Sequence, residues 1–309
     1  MRDVHGAIGI RAASQSTTIG STRMSTTIAI LAPGAMGSAV ARRVSEHGAR
    51  VLTSLAGRSE ATVQRAAAAG MVAASDADIA GADIILSIVP PAEAVALAQR
   101  LATAVAARRT TPIIVDCNAV NVTTVEQVAA IIAPSGARFV DAAIIGLPPQ
   151  PGTRRPTFYV CGEHASELAV LRELGLDLRV VAGAIGAASA LKMSYAGINK
   201  GLTALGAAMA LAATRAGAAL ALRDELAESQ PQILARFAVA LPDMLPKAYR
   251  WVAEMREIAG FLGPDNPAHL IFEGAARLFE HIASEQGNGG KDIDQILAFA
   301  EMARQPTRS

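Results

Sequence analysis

The chain has 309 residues, 51% hydrophobic, 18% charged and only 4% aromatic, with a formal net charge of +1. That length holds two domains and a large core. The near-neutral balance leaves no basic footprint for nucleic acid or an anionic membrane. Two cysteines, Cys117 and Cys161, have neither metal-ligand nor scaffold spacing. They point to a reducing, cytoplasmic compartment and to no metal site.

Residues 1–25 are polar and Ser/Thr-rich, with Arg2, Arg11 and Arg23, and read as a disordered extension with Met24 as a candidate start. Met24 to Ala41 carries no charge and ends in Ala39-Val40-Ala41, a signal-peptidase-like triplet. However, Pro33-Gly34 breaks the apolar stretch, and a cut after Ala41 would remove the turn described next. A secretory leader is rejected on that ground.

Ile28 to Leu31 is an apolar run, followed by the turn Ala32-Pro33-Gly34-Ala35-Met36-Gly37, a helix to Gly48 and a second apolar run, Val51 to Leu55. Strand, glycine turn, helix, strand is the unit that lays a dinucleotide pyrophosphate on a helix N-terminus. Gly34 lets the backbone approach the phosphates and Gly37 lets the helix pack on the strand, although the first glycine of the usual pattern is here Ala32. An NAD site places an acid about 20 residues past the glycines. This chain has Leu52 to Ser59 there, with no acid before Glu60. Arg58 offers a planar cation to a 2′-phosphate, and Ser54 or Ser59 a hydroxyl, so NADP(H) is favoured with NAD still open. The competing reading of Arg58 is a solvated loop arginine.

Further along, the pattern predicts a helix over 60–70, a buried strand over 82–89, a helix over 92–107, a strand over 112–116 and a helix over 123–132. Strands over 139–145, 157–161 and 178–181 follow. This alternation implies an α/β fold with a doubly wound, mostly parallel Rossmann sheet covered on both faces. Cys117 follows the strand expected over 112–116, but no base is at hand to make it a nucleophile. After residue 182 only helical periodicity remains, over 186–216, 218–240, 244–262, 267–284 and 291–304. The expected division is a dinucleotide-binding domain over 26–183 and an all-α domain over 184–304. Lys192, Lys200 and Arg215 interrupt the longest apolar stretch, so no transmembrane segment is expected. The alanine-rich helices have little side-chain volume, which predicts a homodimer through the C-terminal helices, with the cleft completed by the second subunit.

Four features fall in order: Met36-Gly37, the strand ending Ser87-Ile88-Val89-Pro90-Pro91, the strand with Asp141, and Gly183-Ala184-Ile185-Gly186 leading to Lys192. Over about residues 26–285 the chain resembles the β-hydroxyacid dehydrogenase superfamily, which includes 3-hydroxyisobutyrate and 6-phosphogluconate dehydrogenases and, more distantly, imine reductases. Residues 245–255 and 269–276 look like a branch whose 6-phosphogluconate-dehydrogenase-like C-terminal domain has no known function.

The resemblance implies that Ile88, Val89 and Pro90 border the cofactor and that Lys192 is the proton shuttle for a substrate hydroxyl. The residues support Lys192 independently, because an alanine-rich setting desolvates it and lowers its pKa. The competing reading is a lysine snorkelling from a helix surface. The asparagine usual one turn later is here Ala196. Tyr195 and Asn199 share the Lys192 face and are substrate-contact candidates. Alternatively, Tyr195 is a core aromatic and Asn199 pairs with backbone. The superfamily's carboxylate-binding loop is replaced by Ile145-Gly146-Leu147-Pro148, an apolar substrate-binding candidate, and Asp141 reads as structural. These features imply an NADP-dependent reductase or dehydrogenase acting on a small, rather apolar hydroxy compound. Imine reduction and non-catalytic NADP binding are the alternatives.

Overall fold

The computed structural model describes residues 25–149, 155–286 and 289–305. The extension expected over 1–25 therefore lies, through residue 24, outside the described residues. In the first βαβ unit, β1 (Thr27–Leu31) leads through the glycine turn into α1 (Ala35–Glu46) and back to β2 (Arg50–Thr53). Alternation along β1 decides which layer each side chain joins. Ile28 and Ile30 pack with Val40, Ala41 and Val44 of α1, whereas Ala29 and Leu31 face the opposite layer.

There follow α2 (Glu60–Ala68), β3 (Met71–Ala73), α3 (Asp76–Ile79), β4 (Ile84–Ser87), α4 (Ala94–Arg108), β5 (Ile113–Asp116) and α5 (Val122–Ile132). In α4 the buried residues Ala94, Leu97, Ala98, Leu101 and Val105 form the stripe that lies on the sheet. Asn121 caps α5, its Oδ1 accepting the Thr124 N–H at 2.9 Å. Then come β6 (Arg138–Ile145), β7 (Thr157–Cys161), α6 (Val170–Glu173) and β8 (Asp177–Val180). Among the described residues the strands form one eight-stranded sheet, ordered β3-β2-β1-β4-β5-β6-β7-β8. Every neighbouring pair is parallel except β6 and β7.

The expected α/β plan holds, with short elements added and one strand reversed. β3 was not anticipated, because three residues carry too little periodicity to register. β7 reverses direction, pairing Ile145 with Thr157 instead of crossing over.

Beyond β8 the described residues are helical: α7 (Ala187–Arg215), α8 (Ala219–Ser229), α9 (Pro231–Met244), α10 (Ala248–Leu262), α11 (His269–Glu285) and α12 (Lys291–Arg304). The single helix expected over 218–240 is two, because Gln230 (φ −141°, ψ 54°) leaves the helical region and Pro231 starts α9. Their core is built on Phe237, Met244, Met255, Phe279, Ile282 and Phe299. The helices thus close a core of their own, so small side-chain volume no longer argues for a partner. No helix among the described residues is long and apolar enough to cross a membrane.

Contacts to β6 and to the cap of α5 join the helical layer to the α/β region. Asp141 on β6 receives the start of α7, and Glu257 on α10 accepts from the Asn121 N–H and Nδ2 at 3.1 and 3.0 Å.

Candidate active site

The C-terminal ends of the parallel strands bring the singled-out residues to one edge, where open α/β sheets bind ligands. Ala32 follows β1, Ser54 follows β2, Ile88 and Val89 follow β4, Cys117 and Asn118 follow β5, and Ile145 closes β6.

At the turn, Gly34 is the N-cap of α1 with no side-chain cap, and no acid lies in the first turn. The dipole and first N–H groups of α1 are therefore available to an anion. A Cβ built on Gly34 would meet nothing within 4 Å, whereas one on Gly37 would overlap the Ala32 carbonyl oxygen. Gly37 is thus required by the fold, while only a ligand would require Gly34. Pro33 is buried, and its carbonyl accepts from Arg65 at 3.2 Å. Ala35 is exposed and Met36 half-buried.

Beside this turn a cleft of about 250 Å³ is lined by Ala32, Ser54, Arg58, Val89, Glu93 and Arg100, among others. Arg58 lies 3.9 Å from Glu93, and Arg100 lies 3.2 Å from Asp76. Arg58 thus faces a cleft rather than bulk water alone. Arg100 is a second cation that sequence reasoning missed. Ser54 lines the cleft, whereas Ser59 is exposed at the start of α2 with its hydroxyl 3.0 Å from that of Thr62. Ile88 is half-buried and Pro90 exposed.

The other half of the site depends on how α7 begins. Gly186 takes φ +102°, a conformation side chains disfavour, and turns the chain into the helix. Fully buried Asp141 then holds the first turn. Its Oδ2 accepts the N–H groups of Gly186, Ala188 and Ser189 at 3.0, 3.1 and 3.1 Å, and its Oδ1 accepts the Ser189 hydroxyl at 2.8 Å. Asp141 is a structural anchor, as read from the sequence.

That anchor sets Lys192, half-buried on α7, with Nζ 3.4 Å from the Asn118 carbonyl oxygen. Burial pushes its pKa down, and nearby acidic groups only partly oppose this. Cys117 is buried and its thiol is pushed far up, chiefly by burial, so it is no nucleophile.

Tyr195 is 52% exposed, which removes the core-aromatic reading. Asn199 donates to the Tyr195 carbonyl at 2.8 Å, and its Oδ1 accepts from Arg236 at 2.7 Å. Its amide is thus engaged within the helical layer, as the backbone-pairing alternative anticipated. Ile145 is half-buried, Gly146 is exposed where a Cβ would come 2.9 Å from Pro156 Cα, and Leu147 is exposed.

Sequence reasoning passed over Asn118. A polar residue directly after a buried strand ending in Asp116 was the available signal. Elsewhere His281, Glu285 and Asp292 lie close together. Arg215 donates to both Asp292 oxygens at 2.6 and 2.7 Å, which makes this an ion-pair network.

Two family models match this arrangement. Residues 27–170 match the NAD-binding domain of 6-phosphogluconate dehydrogenase, and residues 213–282 match a domain of unknown function. The first region thus carries an NAD-binding domain of the 6-phosphogluconate dehydrogenase type. An uncharacterised 28.5 kDa protein of Methanothermus fervidus is 28% identical over 240 residues, covering 75% of this chain and 89% of that protein. A solved conserved protein of unknown function, described as structurally similar to 3-hydroxyacid dehydrogenases, is 27% identical. It covers 85% of this chain and 99% of its own, with a TM-score of 0.68. Mycobacterium tuberculosis 3-hydroxyisobutyrate dehydrogenase, at 20% identity and TM-score 0.56, covers 91% and 100% and shares the fold. The chain therefore joins an NAD(P)-binding Rossmann region to a helical region that includes a domain of unknown function.

Proposed function

We propose that this protein is an NADP-dependent oxidoreductase acting at the C–OH/C=O group of a small, rather apolar hydroxy compound, with Lys192 moving the hydroxyl proton. One observation carries the reading: a half-buried lysine with a lowered pKa stands at the same sheet edge as an uncapped, glycine-started helix and a cation-lined cleft.

The residues present fit a dinucleotide. The α1 N-terminus with Gly34 would hold the pyrophosphate, and Arg58, with Ser54 and Arg100 nearby, would hold the 2′-phosphate. When bound, the nicotinamide supplies or accepts the hydride. The protein's own residues orient and exchange protons. As an ammonium, Lys192 donates to the developing alkoxide during carbonyl reduction. As a neutral amine it takes the hydroxyl proton during alcohol oxidation. A lowered pKa makes both forms accessible closer to neutrality than for a solvated lysine. Tyr195, exposed one turn on, contacts substrate, and Asn199, through the Tyr195 carbonyl, is a positioning residue. Ile145 and Leu147 supply an apolar wall.

That apolar wall also suits an imine. Assaying NADPH oxidation against pooled carbonyls and pooled imines, with direct NADPH binding measured in parallel, separates the readings. Turnover of carbonyls supports the proposal, turnover of imines alone replaces it, and binding without turnover leaves a nucleotide-binding protein.

A further inference from the structure

Asp116 and Asn118 have no part in the roles above, yet they lie between them. β5 ends in Asp116 at the sheet edge and Asn118 follows it, each 2% exposed. Asp116 Oδ1 accepts the Asn118 backbone N–H at 2.9 Å and its Oδ2 accepts Asn118 Nδ2 at 2.9 Å. This double grip fixes both the main chain and the side chain of Asn118.

Asn118 turns its remaining groups two ways. Towards the cleft, its Oδ1 accepts the Val89 N–H at 2.7 Å and its Nδ2 also donates to the Ser87 hydroxyl at 2.8 Å. Towards α7, its carbonyl oxygen accepts from Lys192 Nζ at 3.4 Å. One residue therefore links the turn beside the cleft to the lysine.

We infer that Asp116 is a positioning residue: it clamps Asn118 so that its carbonyl holds the Lys192 ammonium in register with the β4 turn, and its carboxylate supports the protonated lysine. The inference rests on the proposed function for what Lys192 does, but not for its test.

Replacing this carboxylate by an amide would leave Asn118 one acceptor instead of two and Lys192 one countercharge fewer. The other groups around the lysine are Cys117 in the β5 loop, Asp141 on β6 and Lys200 on α7 itself. The Cys117 thiol is neutral near pH 7, so the two carboxylates are the countercharges. They are partners across the β5–β6 register. Asp141 is spent on the start of α7, whereas both donors described on Asp116 belong to Asn118. Burial pushes Asp116 up to about 6, with Asn118 opposing and Asp141 adding to the rise.

The test reads the lysine directly, in the full chain and without substrate. Competitive acylation by acetic anhydride across pH, quantified by mass spectrometry, gives the Lys192 midpoint. Asp116→Asn should lower it by about one unit, while Cys117→Ala leaves it in place. A folded Asp116→Asn protein with the wild-type midpoint overturns the inference. Should that variant not fold, the linkage is read from the other side. The ¹³C-carboxyl titration of Asp116 should move upward in Lys192→Met, and an unmoved midpoint overturns the inference equally. Neither readout involves turnover, so failure of the proposed activity would be seen separately.

Discussion

The carbonyl oxygen of Ala32 occupies the space that a Cβ on Gly37 would take. The two glycines of the turn therefore answer to different demands, one to the fold and one to a ligand. Gly37→Ala should destabilise the protein by about 1–3 kcal/mol through overpacking, seen as a lower urea midpoint. Gly34→Val should melt close to the wild type and lose NADPH binding by fluorescence titration. A Gly34→Val variant with unchanged affinity removes the phosphate-cradle assignment.

Arg58 borders the cleft in which a 2′-phosphate would lie, within 3.9 Å of Glu93. Arg58→Ala should weaken NADPH binding about tenfold or more, and NADH binding far less, because a charge-assisted hydrogen bond is worth about 1.5–3 kcal/mol. Equal effects on the two cofactors contradict the assignment.

The fold was readable because the α/β region repeats one pattern. Apolar strands stop at Pro90 or Asp116, and helices such as α4 carry a continuous buried stripe. The three residues of β3 and the break at Gln230–Pro231 were hidden, since neither alters periodicity over a long enough window. At the site, the glycine turn stood out through its own local context, and Lys192 through the family resemblance supported by its apolar neighbours. Asn118 and Arg100 did not, because their importance comes from β4, β5 and α4 meeting at one sheet edge. Short-range spacing says nothing about that meeting.

Burial raises Asp116 from its ordinary 3.8 to about 6. Between those values the native state binds more protons than the unfolded chain, so this residue makes stability fall as pH rises from about 4 to about 6. The limiting slope is about 1.4 kcal/mol per pH unit. Urea midpoints measured from pH 4 to 7 should lose that component in Asp116→Asn. An unaltered pH dependence contradicts the raised value.

Tyr195, Ile198, Leu202, Leu205 and Met209 recur along α7 at alternating steps of three and four, exposed or half-exposed. Such a seam on a helix about 44 Å long is self-complementary to a two-fold copy of itself. We propose a homodimer built on this seam. Light scattering should give a dimer for the wild type and a folded monomer for Leu205→Glu. A wild-type monomer at micromolar concentration contradicts it.

Lys192 as the proton carrier is the central claim, and Lys192→Met tests it most directly, since methionine is similarly long but carries no proton. With a carbonyl substrate found, the variant should bind NADPH normally while turnover falls about 10²–10⁴-fold. Wild-type reduction should slow as pH rises through the lowered lysine pKa, because the ammonium is the acid, and that limb should vanish in the variant. Near-normal turnover by Lys192→Met, with the pH limb intact, would contradict the account.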